Sequence, residues 1–385
     1  MRRVFERVEG PDPELQSLVS MLEYFEKEGG KYAPSGFWDS LDRLHVRDLL
    51  AGNYPLFKRT LAFQYFTWLP SLTNVQVRNL VRIWMRHPSI AAIGPRLACS
   101  PRQRFPPSAT RISAPRFRMP TPIYLMFYRL FVGLLRHHAV GEDRMHLVDH
   151  LEEPAEGGPL EVCWDRRLVS QDLYNSILEL RAIDRFVHLA PNSSRVAELG
   201  AGYGRLAYVF LKSEMCKQYV IADIPPALYV SQRYLRVVFP ELRFFRFRPF
   251  EDFSEVADEF ESSKVCFLTP DQLEHLPAKY FDLFITISSL QEMKMELVSL
   301  YISLIDRLTG GYCYVKQWRE WHNPVDDLTV GYRDYPIPLS WRRIFARRHA
   351  VQSGMFEALW EVPRRGGGGQ QGSGLRSHQL EQLAS

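Results

Sequence analysis

Residues 195–211, RVAELGAGYGRLAYVFL, decide the fold. A short apolar run ends in Glu198, glycines follow at 200, 202 and 204, and an apolar helix-like stretch begins at once. Alternating glycines allow a turn whose backbone comes very close to a ligand. Strand, glycine turn and helix together expose a helix N-terminus at the carboxyl edge of a sheet. A dinucleotide-binding turn is G-x-G-x-x-G, with helix amides facing a pyrophosphate. Here the spacing is G-x-G-x-G, and Arg205 stands where the third dinucleotide glycine belongs. Glu198 would repel a pyrophosphate but can receive an ammonium group. The pattern points to a nucleoside that carries an amino acid.

The chain after this point repeats the same logic. YVIAD ends in Asp223, 19 residues past Gly204, and an acid at a second strand tip can accept both ribose hydroxyls. Ile224 follows, and Pro225 and Pro226 suit the first turn of a helix. KVCFL ends in Thr269-Pro270-Asp271-Gln272, where polar groups can meet an adenine. FDLFITI ends in Ser288 and leads into Ser289-Leu290-Gln291-Glu292-Met293 beside the same edge. Short apolar runs alternate with helix-like stretches such as MELVSLYISLIDRL up to GYCYVK. That alternation predicts an α/β, Rossmann-like fold, a mostly parallel sheet flanked by helices.

The segments before residue 166 read differently. LQSLVSMLEYFEKE, FKRTLAFQYFTWL and residues 123–138 show apolar positions at helical spacing, so residues 1–165 form a helical N-terminal region, an acceptor-binding or lid element. Within it, residues 92–122 hold seven prolines, six arginines and no acid, which reads as a solvated connector or a basic edge. VSQDLYNSILELRAIDRFV predicts a helix capped by Ser170, with Asp172 in its first turn. Gln171, Asp172 and Asn175 on that helix are placed to reach over the ligand or to serve its cap. Residues 166–363 form the ligand-binding domain. The glycine-rich tail, 364–385, is expected to be disordered.

Composition narrows the function classes. Apolar residues are 46% and charged residues 24% of the 385, an ordinary globular balance. A net charge of +4 gives no reason to expect a nucleic-acid partner. Five scattered cysteines without a C-x-x-C pair argue against a disulfide framework or zinc site and fit a reducing, cytoplasmic setting. IYLMFYRLFVGLL carries Arg129 and is shorter than a membrane span, so no membrane partner is expected.

The chain resembles the class I S-adenosylmethionine-dependent methyltransferases and, within them, is similar to the sugar O-methyltransferase family. The narrower likeness lies in 169–183, ELGAGYGRLAYVFL (198–211), YVIADIPPALYVSQRYL (219–235), FLTPDQLEHLP (267–277) and FDLFITISSLQEM (281–293). SGFWDSL (35–41) and GNYPLFKRTLAFQYF (52–66) add to it. The resemblance implies a cofactor site made of Glu198, Gly200, Ala201, Gly202, Gly204, Asp223 and Ile224, with Asp271, Gln272 and Ser288 beside the adenine end. It implies methyl transfer to a hydroxyl of a sugar, sugar nucleotide or glycosylated small molecule, or of another hydroxylated metabolite. A binding protein on the same fold is the alternative from another class.

A sugar hydroxyl needs a base or a metal. Glu292 is the first catalytic candidate, as base or as a ligand for Mg2+; it also suits a helix cap. His322 in KQWREWHNPVDD is the second. Asp326 and Asp327 lie near it in sequence and could complete an oxygen-rich magnesium site with Glu292. Trp318, Trp321 and Tyr332 are candidates to stack on a sugar.

Overall fold

A computed structural model describes residues 13–32, 36–59, 78–79, 81–82, 85, 97–99, 121–323 and 327–364. The tail from 365, most of the proline- and arginine-rich 92–122 segment and the predicted helix beyond residue 59 lie outside the described residues. The first elements are α1 (Pro13–Glu28), α2 (Gly36–Leu50), β1 (Leu97–Cys99), α3 (Thr121–Glu142) and α4 (Leu147–His150). β2 (Val162–Trp164), β3 (Arg167–Val169) and α5 (Gln171–Asp184) follow. The alternating part comprises β4 (Arg195–Leu199), α6 (Arg205–Lys212), β5 (Gln218–Ala222), α7 (Pro225–Val238), β6 (Phe244–Phe245), α8 (Ala257–Ser262) and β7 (Val265–Leu268). It continues with β8 (Phe281–Ile287), α9 (Met295–Leu308) and β9 (Thr309–Trp318). Two hairpins close the chain, β10 (Glu320–Asn323) with β11 (Leu328–Gly331), and β12 (Arg342–Arg348) with β13 (Met355–Glu361).

The large sheet has the order β12-β13-β9-β8-β4-β5-β7-β6. Strands β4 to β9 pair in parallel, whereas β13 runs antiparallel to both β9 and β12. The chain enters at β4, moves through β5 to β6 at the edge, fills the gap between them with β7, then crosses to β8 on the other side of β4. That reversal opens a crevice at the carboxyl ends of β4, β5 and β8. This is a Rossmann-like α/β fold, a mostly parallel sheet with helices on its faces and the reversed strand β13 set between β9 and the edge strand β12. β5 and β7 are buried at every position, as a sheet covered on both sides requires.

The local predictions for the alternating part hold. α7 starts at the Pro225-Pro226 pair, and α5 starts where Ser170 Oγ accepts the Leu173 amide at 3.0 Å. The N-terminal region differs from a purely helical one. β1, β2 and β3 form a three-stranded antiparallel sheet of three-residue strands, too short for a period-two pattern to register. Leu18, Met21, Phe57 and Phe131 belong to the same buried cluster as Tyr203, Leu206, Tyr234 and Leu359. The Phe57 ring lies 5.3 Å from Tyr203 and 5.7 Å from Tyr234, so the N-terminal elements share a core with α6 and α7. Among the described residues no helix is long and apolar enough to cross a membrane.

Candidate functional site

The glycine turn is built by backbone geometry. Gly200, Gly202 and Gly204 have φ of +75°, +60° and +85°, in the region that side chains resist. At Gly200 an added Cβ would sit 2.4 Å from Ser289 Oγ, so no larger residue fits against the turn after β8. Asp223 pins this turn to the tip of β5. Its Oδ2 accepts the Gly202 amide at 2.8 Å and its Oδ1 accepts the Ile224 amide at 2.8 Å. Glu198 accepts the Tyr219 hydroxyl at 2.7 Å. Ser288 holds φ +53° while its amide donates to the Lys316 carbonyl at 2.8 Å. A non-glycine residue in that region is strained, and such strain gathers at functional sites.

These tips open onto one cavity. Glu198, Gly200, Ala201, Asp223, Ile224 and Ser288 line it. Gly202 and Gly204 shape the turn without lining the cavity. α5 adds Gln171, Asp172, Asn175 and Glu179, and α6, β9 and the β12–β13 turn add Arg205, Lys316 and Gln352. Tyr32 and Trp38 close it from the N-terminal region.

The buried acids fall into two groups. Glu179 accepts two hydrogen bonds from Arg205, at 2.5 and 3.1 Å, and one from Lys316 Nζ at 2.7 Å. Burial would raise its pKa, but the two cations outweigh burial and hold it below the usual carboxylate range. Among the described residues, Glu198, Asp172 and Asp223 receive hydrogen bonds from neutral groups only. Burial pushes each of them up to about 7. For Asp172 the opposing influences are the nearby Arg205 charge and the Tyr203 hydroxyl, which donates to Oδ2 at 2.8 Å. Ser170 fixes the start of α5, and so Asp172, by donating to Glu153 Oε2 at 2.6 Å; Lys58 is ion-paired with the same carboxylate.

Other sequence-derived candidates stand apart. Asp271 does not line the cavity, although Pro270 does. Asp271 Oδ2 accepts the Tyr24 hydroxyl at 2.8 Å, and its buried Oδ1 has no partner among the described residues. Gln272 is committed elsewhere. Its Oε1 accepts the Thr269 amide at 3.1 Å in a capping box and its Nε2 donates to the Arg248 carbonyl at 2.8 Å, so both ends of the amide are in use. Glu292 is buried, with its pKa pushed by burial to about 8, but does not line the cavity, whereas Met293 does. His322 is exposed on the β10–β11 hairpin, its Nδ1 3.0 Å from Thr329 Oγ1, and does not reach the cavity. Trp318 packs on Trp321 with centroids 5.8 Å apart, and Tyr332 packs on Phe356; none of them lines the cavity. Asp326 lies outside the described residues. Among the described residues no cluster of three or more His, Cys, Asp or Glu side chains is placed to hold a metal ion.

Glu179, Lys316 and Gln352 were absent from the sequence-based site. Their partners are distant in the chain, 137 residues in the case of Lys316 and Glu179, and no local motif marks them. Arg205 carried a signal, as the residue that breaks the dinucleotide pattern.

No family model matches the sequence, and no curated protein does. Solved structures with a similar fold include a protein from Pyrococcus horikoshii, 12% identical over 50% of this chain and 92% of its own, with TM-score 0.36. An S-adenosylmethionine-dependent methyltransferase from Aquifex aeolicus is 12% identical over 48% of this chain and 89% of its own, with TM-score 0.31. Phosphoethanolamine N-methyltransferase 1 from Haemonchus contortus, solved with phosphoethanolamine and S-adenosylhomocysteine, is 14% identical over 66% of this chain and 52% of its own, with TM-score 0.35.

Proposed function

We propose that the chain is an S-adenosylmethionine-dependent methyltransferase whose acceptor is a hydroxyl of a sugar or glycosylated small molecule. One observation carries this reading. Glu198, the glycine turn and Asp223 meet at a single cavity at the strand switch point, and among the described residues neither acid is ion-paired there. A ligand with an ammonium and a sulfonium would supply the missing positive charge. The donor set therefore fits this cofactor.

When bound, the cofactor supplies a methyl group activated by the positive sulfur. The chain's own residues do the rest. Glu198 receives the ammonium group, and the spare lone pairs of Asp223 accept ribose hydroxyls while its other contacts hold the glycine turn. Pro270, which lines the cavity, would flank the adenine end. Tyr32 and Trp38 exclude water. An acceptor oxygen aligned with the methyl group gains much of the rate from positioning. Asp172 lines the cavity and has a carboxyl matched to neutral pH, so it takes the hydroxyl proton. Glu292, with the higher pKa but no access in this conformation, is the alternative base.

Calorimetry tests the cofactor half. S-adenosylmethionine should bind, and Asp223→Ala should weaken it at least tenfold, about 1.4 kcal/mol. Binding that ignores this substitution would reject the ribose assignment. Incubation with labelled cofactor and a panel of glycosides and sugar nucleotides, with and without magnesium, tests the acceptor half by a mass gain of one methyl. Methylation confined to amines in such a panel would reject it.

A further inference from the structure

Three residues that line the cavity carry a side-chain amide whose carbonyl oxygen has no hydrogen-bond partner among the described residues. Gln171, Asn175 and Gln352 are only 1%, 6% and 6% exposed. The carbonyl oxygen of each is buried and has no hydrogen-bond partner among the described residues. A buried polar atom without a partner is costly, so three of them in one cavity call for a ligand. Gln171 and Asn175 are four apart on α5, hence on one face, and they flank Asp172. Gln352 comes from the turn between β12 and β13. Its backbone is fixed by a tight turn in which its amide donates to His349 Nδ1 at 2.9 Å and its carbonyl accepts the Met355 amide at 2.7 Å.

The charges in the same cavity narrow the ligand's class. Arg205 and Lys316 are the described cations that line it, and both are ion-paired to Glu179. Their side chains are 17% and 1% exposed. A phosphate brought into the cavity would find no cation without a carboxylate already on it, and it would face Asp172 and Glu198. Amides, by contrast, both donate and accept, which is the chemistry of a hydroxyl array.

Resting on the methyltransferase reading above, we propose that Gln171, Asn175 and Gln352 form the acceptor seat and select an uncharged, polyhydroxylated acceptor over its phosphorylated or nucleotide-linked form. Two hydroxyls held by the α5 amides would bring a third beside Asp172.

The test uses full-length protein saturated with S-adenosylhomocysteine. Saturation-transfer NMR is recorded with methyl glycosides of glucose, galactose, mannose and rhamnose, then with the sugar 1-phosphates and UDP-glucose. At least one methyl glycoside should bind, its affinity should fall at least tenfold in Asn175→Leu and Gln352→Met, and the phosphorylated probes should bind more weakly. Melting temperatures of the unliganded variants give a second readout. Removing an unpaired buried amide for an apolar side chain of similar size should raise the melting temperature, whereas a structural amide would lower it. Glycosides that fail to bind, phosphorylated probes that bind as well or better, or variants that melt lower and bind normally would overturn the proposal. A protein that fails to bind S-adenosylhomocysteine at all would instead sink the methyltransferase reading.

Discussion

Glu179 and Glu198 line the same cavity and are equally buried, yet they are held in opposite ways. Glu179, on α5, sits between Arg205 of α6 and Lys316 of β9, and its proton is lost well before neutrality. Glu198, at the tip of β4, accepts a tyrosine hydroxyl and is not ion-paired among the described residues; burial pushes its pKa up to about 7 against the pull of that bond and of the more distant Arg205 charge. Asp223 and Asp172 behave like Glu198. The first arrangement completes its charges within the protein and ties two helices to the sheet. The second leaves charge to be completed by something else. A buried acid with cations in place is part of the scaffold, and a buried acid without them points to a cationic ligand.

Breaking the scaffold group should have the largest effect. Arg205→Ala or Lys316→Met leaves Glu179 short of a cation, and unfolding in urea should show a loss of about 3–5 kcal/mol. A loss under 1 kcal/mol would mean that the cluster is solvated and that the contrast with Glu198 is false. Glu198→Gln should act in the other direction on stability. Glutamine keeps the tyrosine bond and removes a carboxyl that burial disfavours, so the unliganded protein should gain about 1–3 kcal/mol at pH 8. The same variant should bind S-adenosylmethionine at least tenfold less tightly by calorimetry.

The pH dependence sharpens the distinction. Carboxyls raised to about 7 hold their protons more tightly folded than unfolded. Their contribution to stability is present at low pH and is lost as pH rises from the ordinary carboxyl range through about 7. Glu179, held low, contributes above the ordinary range and loses that contribution as pH falls through its folded value. A cationic ligand favours the ionised form of the first group. Binding of S-adenosylmethionine should therefore tighten several-fold between pH 6 and pH 8, with proton release visible as a dependence of the heat on buffer ionisation. Affinity that stays flat over this range would contradict it. The smallest effect belongs to Ser170→Ala, which removes the cap of α5 and should cost about 1 kcal/mol in a urea titration.

What the sequence revealed and what it concealed follow the same division. The glycine turn, Glu198 and Asp223 lie within 26 residues of one another, and each sits at the end of an apolar run. Turn chemistry and strand alternation are local, so the mostly parallel sheet and the place of these residues at strand ends were readable; the order of the strands was not. Gln272 shows how such reading misleads. Its place after β7 suggested an adenine contact, while Thr269 three residues earlier spelled a capping box that uses the same amide. His322 and Glu292 were picked by chemical type and by their order in the chain. Neither feature says which way a hairpin turns or which side chain of a turn faces the cavity. Glu179 and Lys316 meet only because α5 packs on the face of the sheet that β9 shares. Three-residue strands and the β12–β13 turn that delivers Gln352 have no periodicity long enough to read.

The most direct measurement is a crystal structure of the protein soaked with S-adenosylhomocysteine. The expected density crosses the tips of β4 and β5, with ribose hydroxyls on Asp223 and the amino group within hydrogen-bonding distance of Glu198. Density in any other place, or a nucleoside lying with its sugar away from Asp223, would contradict the assignment of the strand-tip acids to the cofactor.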